Sequence, residues 1–131
     1  MRRLEAMKPS ILVVDDNQDL RDLIQHVLRR GGFSVATAGS GEDGLAALRE
    51  VDAPDLVLVD VQMPDMSGLE FLDEVEKHDH GIFDRSRFAF CTAGKVPEDG
   101  RVIGHLNKLA DLSEMLTSVR NLVLTNPRSL K

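Results

Sequence analysis

The chain reads ILVVDD from Ile11 to Asp16, and this run of four apolar residues followed by two aspartates decides its fold. A short run this apolar is typical of a strand that is buried on both faces of a parallel sheet. Two further runs have the same form: LVLVD ends at Asp60, and VIGHLNK ends at Lys108. Like charges a few ångströms apart repel by about 4 kcal/mol at an effective dielectric near 20. A fold keeps such a cluster of carboxylates when a cation or a reaction needs it.

Helical patterns separate these strands. Apolar residues from Leu20 to Leu28 recur at steps of three and four, which predicts a helix that ends at Gly31-Gly32. Serine and aspartate with glutamate three residues later predict capped helices after Ser67 and Asp111, and we expect Leu112 on the apolar, buried face of the second helix. The other predicted elements are strands at 11–14, 34–38, 56–59, 88–91 and 102–106, helices at 41–51 and from 67 to about 77, and a polar loop at 78–86.

The alternation of strands and helices predicts an α/β fold with a doubly wound, five-stranded parallel sheet, for which we expect the common flavodoxin-like strand order 2-1-3-4-5. In such sheets ligands bind at the carboxyl ends of the strands, where the strand order reverses. Here that point lies between strands 1 and 3, which end at Asp15-Asp16 and Asp60. The acidic cluster therefore falls where the topology predicts a site.

Length and composition limit the classes of protein. The chain has 131 residues, a net charge of -6, one cysteine and no clustered stripe of lysine and arginine. We expect a leader at residues 1–9, one folded domain at 10–124 and a tail at 125–131. We also expect no direct contact with nucleic acid, no membrane segment and a cytoplasmic location, where the lone Cys91 is a small buried residue.

Three carboxylates that converge on one crevice suit a hard divalent cation such as Mg²⁺, which prefers oxygen ligands. An aspartate beside a bound metal can act as a nucleophile and form an aspartyl phosphate. Lys108 would neutralise phosphoryl charge, and the hydroxyl of Thr92, which follows the fourth strand, could donate to a phosphoryl oxygen.

Taken together, Asp15-Asp16, the segment DVQMPDMSG at residues 60–68, Thr92-Ala93 and Lys108 resemble a response regulator receiver domain of two-component signal transduction, of the single-domain, chemotaxis-regulator type. The resemblance implies that Asp60 is the phosphoacceptor in a two-component system or phosphorelay. The donor would be a phosphohistidine on a sensor histidine kinase or a histidine phosphotransfer protein, and phosphorylation would alter binding to a downstream protein target.

The resemblance also implies the other roles at the site. Asp16 binds Mg²⁺ directly, Asp15 assists, and the main-chain carbonyl of Gln62 is a further ligand beside Asp60. Thr92 and Lys108 contact the phosphoryl group and, with residue 105, relay its presence. Such a domain is a signalling module rather than an enzyme, with at most self-catalysed phosphorylation and dephosphorylation.

Three departures from the family pattern stand out. The segment from Thr92 to Lys108 is short and contains two glycines and a proline, so we expect the fourth helix of the fold, between strands 4 and 5, to be missing or one turn long. This puts the usual dimer in question and favours a monomer or weak dimer. His105 stands where the family has a switch aromatic; we expect a half-buried rim residue, with a pH switch as the alternative. Leu109 replaces a proline, so we expect a trans Lys108–Leu109 bond and a shifted loop.

Other functions stay open. The short segment and His105 favour, as an alternative, a phosphorylation-independent interaction module with a receiver fold. A phosphatase with an aspartate nucleophile is disfavoured because Gln62 stands where such enzymes carry a second acid. The pattern G-x-G-x-x-G at residues 39–44 fits a dinucleotide fingerprint, but it follows strand 2, away from the switch point, and we interpret it as an ordinary turn.

Overall fold

The computed structural model describes residues 8–50 and 52–127 of the chain. Five parallel strands form one sheet in the order β2-β1-β3-β4-β5, which confirms the predicted fold class. The strands are β1 Ser10–Val14, β2 Ser34–Ala38, β3 Leu56–Asp60, β4 Arg87–Thr92 and β5 Gly104–Asn107, and the helices are α1 Gln18–Arg30, α2 Gly41–Glu50, α3 Gly68–His78, α4 Ile82–Arg85 and α5 Leu112–Leu124.

Helices cover both faces of the sheet. Ile11 and Val13 of β1 pack into a core with residues of α1 and α5, whereas Leu12 and Val14 pack into a second core with residues of α2 and α3. Every residue of the central strand β3 is buried. A strand with both faces covered has no solvent side, which is why its sequence shows no alternation of polar and apolar residues.

The ends of the helices follow from side-chain caps. Asn17 accepts a hydrogen bond from the amide of Leu20, and Ser67 and Glu70 form the predicted capping box at α3. At α5 the Asp111 carboxylate accepts from the amide of Glu114, which is one half of the predicted box. These caps start each helix at a fixed residue after the preceding strand or loop, so they also fix where the loops at the sheet edge end.

Two predictions about exposure and local structure are wrong. Residues 78–86 were expected to be a polar loop, but Ile82–Arg85 forms a one-turn helix. Ile82 and Phe83 are buried, and the Phe83 ring lies 4.7 Å from that of Phe88, centroid to centroid. Tertiary burial of two apolar residues therefore overrides a polar local composition. Leu112, expected on the buried face of α5, is 44% exposed.

Residues 93–103 contain no helix, as expected for the fourth helix of the fold. This segment, here called the β4–β5 segment, packs Val102 into the core beside α3. It is also fastened to α3 by charge: the Arg101 guanidinium lies 2.9 Å from Asp73, 3.0 Å from Glu76 and 2.7 Å from Asp99. We call these four residues the Arg101 cluster. A salt-bridge cluster thus holds this helix-free segment against α3.

No helix within the described ranges is long and apolar enough to cross a membrane. Residues 1–7 of the predicted leader, Val51 and residues 128–131 of the predicted tail lie outside the described residues. The domain boundaries at 9–10 and 124–125 stay predictions.

Candidate functional site

The carboxyl ends of β1, β3 and β5 bring charged side chains to one edge of the sheet. Val14 pairs with Val59 in the register of β1 and β3, so the next residues, Asp15 and Asp60, lie side by side. Lys108 directly follows β5, and its amide donates to the carbonyl of Thr92 at the end of β4, 3.1 Å away. Parallel strands share one carboxyl edge, which makes this meeting a consequence of the topology.

Lys108 bridges the two buried aspartates. Its Nζ lies 2.8 Å from Asp15 Oδ2 and 3.0 Å from Asp60 Oδ2. Asp15 is 1% exposed and Asp60 is 7% exposed. The remaining oxygens accept from the main chain: Asp15 Oδ1 from the amide of Asn17, and Asp60 Oδ1 from the amide of Gln62.

The charges at this edge do not balance. Burial, together with the negative charge of Asp15, raises the pKa of Asp60 above its usual value, although the hydrogen bond from Lys108 opposes this change. Burial also disfavours the charged form of Lys108, but hydrogen bonds and attraction to Asp15 and Asp60 outweigh it and raise the pKa of the ammonium. One ammonium therefore serves a cluster that also contains the exposed carboxylate of Asp16.

A divalent cation fits this cluster. Asp15, Asp16 and Asp60 each offer a carboxylate oxygen, and these three atoms lie within 4.8 Å of one another. Within the described residues, Asp15 Oδ2 is buried, and the charged group beside it is the Lys108 ammonium, 2.8 Å away, which it shares with Asp60. A buried anionic oxygen with an incomplete set of donors is costly unless a cation or proton satisfies it. All three candidate ligand atoms are oxygens, which Mg²⁺ prefers. The cluster is therefore consistent with binding Mg²⁺.

The loop after β3 is held by contacts that the sequence did not predict. The Asp65 carboxylate accepts from the amides of Gly41, at 3.1 Å, and Glu42, at 2.9 Å, at the start of α2. A Cβ atom at Gly68 would lie 2.7 Å from the carbonyl oxygen of Asp60, so only glycine fits there. Local sequence could not predict these contacts, because the partners of Asp65 lie 24 and 23 residues away along the chain.

Arg21 is a second residue missed from the sequence. Its guanidinium donates to the main-chain carbonyl of Asp15 over 2.7 Å and lies against Gly39. An arginine on the polar side of a helix gives no signal that it reaches the neighbouring loop. This hydrogen bond holds the main chain of Asp15, one of the carboxylate residues of the acidic cluster.

The amides that open α2 also settle the interpretation of residues 39–44. Those of Gly41 and Glu42 bond Asp65, and that of Asp43 bonds the Ser40 hydroxyl. A pyrophosphate would need the same donors. The pattern G-x-G-x-x-G is therefore occupied from within the chain, as an ordinary turn.

The remaining predicted site residues line the same edge. Thr92 is half-buried, and its hydroxyl accepts from the amide of Gly94 at 3.1 Å. Gln62 is exposed and pairs with Ser67 across the loop. His105 is exposed rather than half-buried, and it lies on the edge strand β5. The roles assigned to these residues stay predictions.

Three comparisons with known proteins bear on this site. The model of the response regulator receiver domain matches residues 11–120. The probable transcriptional regulatory protein TcrX of Mycobacterium tuberculosis is 39% identical over 82 residues, which is 63% of this chain and 35% of TcrX. The DNA-binding response regulator MtrA of the same species is 40% identical over 79 residues, 60% of this chain and 34% of MtrA. The chain thus spans about a third of the length of these curated relatives.

Solved structures of response regulators are also similar to this chain. The chemotaxis response regulator CheY4 of Vibrio cholerae superposes with a TM-score of 0.78 at 26% identity, over 88% of this chain and 99% of that one. The response regulator TrrA of Thermotoga maritima, in complex with Mg²⁺-BeF, has a TM-score of 0.73 at 28% identity, over 87% of this chain and 98% of that one.

Proposed function

Because the chain belongs to the response regulator receiver domain family, the phosphoacceptor domains of two-component signalling, we propose that Asp60 is the residue that accepts the phosphoryl group. The donor is a phosphohistidine on a sensor histidine kinase or a histidine phosphotransfer protein. The observation that carries the proposal is the contact of Asp60 Oδ2 with Lys108, inside a cluster of three carboxylates.

The residues divide the work of phosphoryl transfer. A carboxylate oxygen of Asp60 forms the new bond to phosphorus as the bond from phosphorus to the histidine nitrogen breaks. Lys108 favours the ionised, nucleophilic form of Asp60 against the effect of burial and then faces phosphoryl oxygens. Thr92 can donate its hydroxyl hydrogen to the same group, because accepting from the Gly94 amide leaves that hydrogen free.

Asp15, Asp16 and Asp60, with the main-chain carbonyl of Gln62, would hold Mg²⁺. When bound, Mg²⁺ neutralises charge on the phosphoryl oxygens. The buried, under-satisfied oxygen of Asp15 supports this assignment.

The output in this proposal is altered binding to a downstream protein, with the chain acting as a monomer or weak dimer in the cytoplasm. The absence of direct nucleic-acid contact stays a prediction, because MtrA, which matches over part of its length, is named as DNA-binding. Turnover of free substrates is not part of the proposal: catalysis is limited to the domain's own phosphorylation and dephosphorylation.

The test is incubation with acetyl phosphate and Mg²⁺, followed by intact mass measurement, with beryllofluoride and NMR as a second route. Wild type should gain the mass of one phosphoryl group, and Asp60→Asn should not. Asp84→Asn is the matched control, since Asp84 is an exposed aspartate that precedes the opposite, N-terminal end of β4. It should gain the group as wild type does. Equal responses of wild type and Asp60→Asn would end the proposal.

A phosphorylation-independent interaction module is the second candidate. The helix-free β4–β5 segment and the exposed His105 favour it, because both depart from the family pattern while the acidic cluster is kept. The test compares the affinity of a partner for phosphorylated wild type, unphosphorylated wild type and Asp60→Ala. Equal affinity for all three would support this candidate over the first.

A further inference from the structure

Lys108 lies inside a turn that Asn107 closes twice. The amide of Ala110 donates to the main-chain carbonyl of Asn107 over 3.1 Å. The amide of Leu109 donates to the side-chain oxygen of Asn107 over 2.8 Å. Asparagine is favoured at the first position of such turns because its side chain can bond the backbone two residues on. Lys108 lies between Asn107, which accepts both hydrogen bonds, and Leu109, which donates one of them.

The position after Lys108 contributes its amide rather than its side chain. The Leu109 side chain is 77% exposed, so it adds little packing. Its amide is a donor that a proline at this position would lack, and the Lys108–Leu109 bond is trans, as expected from the sequence. A proline would fix the backbone through its ring. Here the bond to Asn107 restricts the backbone instead.

Asn107 is also tied to the rest of the site edge. It pairs with Thr92 in the register of β4 and β5, and the Lys108 amide bonds the Thr92 carbonyl. The backbone of Lys108 is therefore held by β4 on one side and by the Asn107 turn on the other. From this position its Nζ reaches both Asp15 and Asp60.

We propose that Asn107 is a positioning residue for Lys108: its side-chain oxygen fixes the turn that directs the ammonium to Asp15 and Asp60. The consequence for phosphorylation rests on the proposed function. The positioning itself does not, and it can be measured on the unphosphorylated protein.

The first experiment measures acylation of lysines by a succinimidyl ester, residue by residue, with peptide mass spectrometry. Asn107→Ala should increase labelling at Lys108 by about five-fold, the equivalent of one ordinary hydrogen bond. Labelling at the exposed Lys95 serves as the internal reference and should not change. Asn107→Asp, which keeps the acceptor oxygen, and Leu109→Ala, which keeps the amide, should both label Lys108 as wild type does.

Loss of the fold would also raise labelling, and Cys91 separates the two causes. Cys91 is 2% exposed, and burial raises the pKa of its thiol to about 12, so it reacts slowly only while the core is intact. Slow thiol labelling in Asn107→Ala shows that the fold persists. If that variant unfolds, Asn107→Gln, whose oxygen lies one bond further out, should give the same increase at Lys108.

The second experiment measures the rate of phosphorylation by acetyl phosphate and the Kd for Mg²⁺. Asn107→Ala should slow phosphorylation by about five-fold without weakening Mg²⁺ binding, since the carboxylates are untouched. General damage to the site would weaken both. Wild-type labelling of Lys108 in folded Asn107→Ala and Asn107→Gln would overturn the inference. A wild type that gains no phosphoryl group would overturn the proposed function and leave the labelling result standing.

Discussion

Two groups of side chains in this molecule have the same charge composition, one cation with three carboxylates. The acidic cluster at the sheet edge sets Lys108 against Asp15, Asp16 and Asp60, and the Arg101 cluster sets a guanidinium against Asp73, Glu76 and Asp99. The pKa shifts of their buried or half-buried aspartates have opposite directions. At the sheet edge the pKa of Asp60 is raised, whereas the hydrogen bond from Arg101 holds the pKa of Asp99 below its usual value.

Geometry and burial explain the difference. Arg101 has several donors in a rigid fork: Nε and Nη2 bond the two oxygens of Asp99, and Nη1 bonds Asp73 and Glu76. Asp73 keeps 59% of its side chain in water, which screens its charge. The ammonium of Lys108 is a single point between two nearly buried carboxylates. The Arg101 cluster therefore has a cationic donor for each of its carboxylates, whereas the acidic cluster is consistent with binding a further cation.

The largest effect should come from breaking the Arg101 cluster. Arg101→Ala leaves Asp99, 13% exposed, without its partner and should lower the free energy of unfolding by about 2 kcal/mol, less than for a fully buried pair. Arg85→Ala removes an exposed pair with Asp79 and should cost less than about 1 kcal/mol. Urea unfolding measures both. Equal losses in the two variants would mean that the Arg101 cluster is an ordinary surface contact.

The next effect is stabilisation of the acidic cluster by metal. A ligand that binds only the folded state, present at ten times its Kd, stabilises by about 1.4 kcal/mol. For a chain of this length that corresponds to a rise in Tm of about 3–6 °C on adding Mg²⁺. Asp16→Ala should remove most of the rise, since Asp16 is one of the three converging carboxylates.

Asp73→Ala is the control for this measurement. It removes a carboxylate from the Arg101 cluster and should leave the response to Mg²⁺ unchanged. A metal response that Asp73→Ala abolishes and Asp16→Ala preserves would place the cation in the wrong cluster and contradict the comparison.

The sequence predicted the acidic cluster and did not predict the Arg101 cluster, for a physical reason. Asp15, Asp60 and Lys108 each follow an apolar run, and parallel strands bring their carboxyl ends to one edge whatever the loops do. Arg101 lies in a segment without periodicity, 28 and 25 residues from its partners on α3. Only the path of the loop decides whether such residues meet.

The same distinction separates the other outcomes. The alternation of strands and helices and the missing helix at 93–103 follow from local pattern and from glycine and proline content, and the strand order is a common one for that alternation. The one-turn helix at Ile82–Arg85, the Asp65 contact with α2 and the exposure of His105 depend on which elements pack nearby. These features depend on tertiary packing, which the local sequence does not determine.

The smallest effect is a difference in how stability depends on pH. It tests whether the pKa shifts in the two clusters have opposite directions. In EDTA, an aspartate whose folded pKa is raised stabilises fully below its unfolded value near 3.8, and this contribution is lost as pH rises through the folded pKa. Asp60→Asn mimics the protonated acid and loses nothing over that range. It should therefore match the stability of wild type near pH 3 and be more stable than wild type at pH 7.

Asp99 should behave in the opposite way. Its folded pKa is lowered, so its contribution is present above the unfolded value near 3.8 and is lost as pH falls through the folded pKa. Asp99→Asn should be less stable than wild type at pH 7, and the gap should narrow below pH 4. Urea unfolding of the two variants from pH 3 to pH 7 measures both trends. Because each asparagine removes one negative charge, the change in net charge is the same, and only the local environments differ. Parallel trends would show that net charge sets the pH dependence, and the contrast between the two clusters would then be wrong.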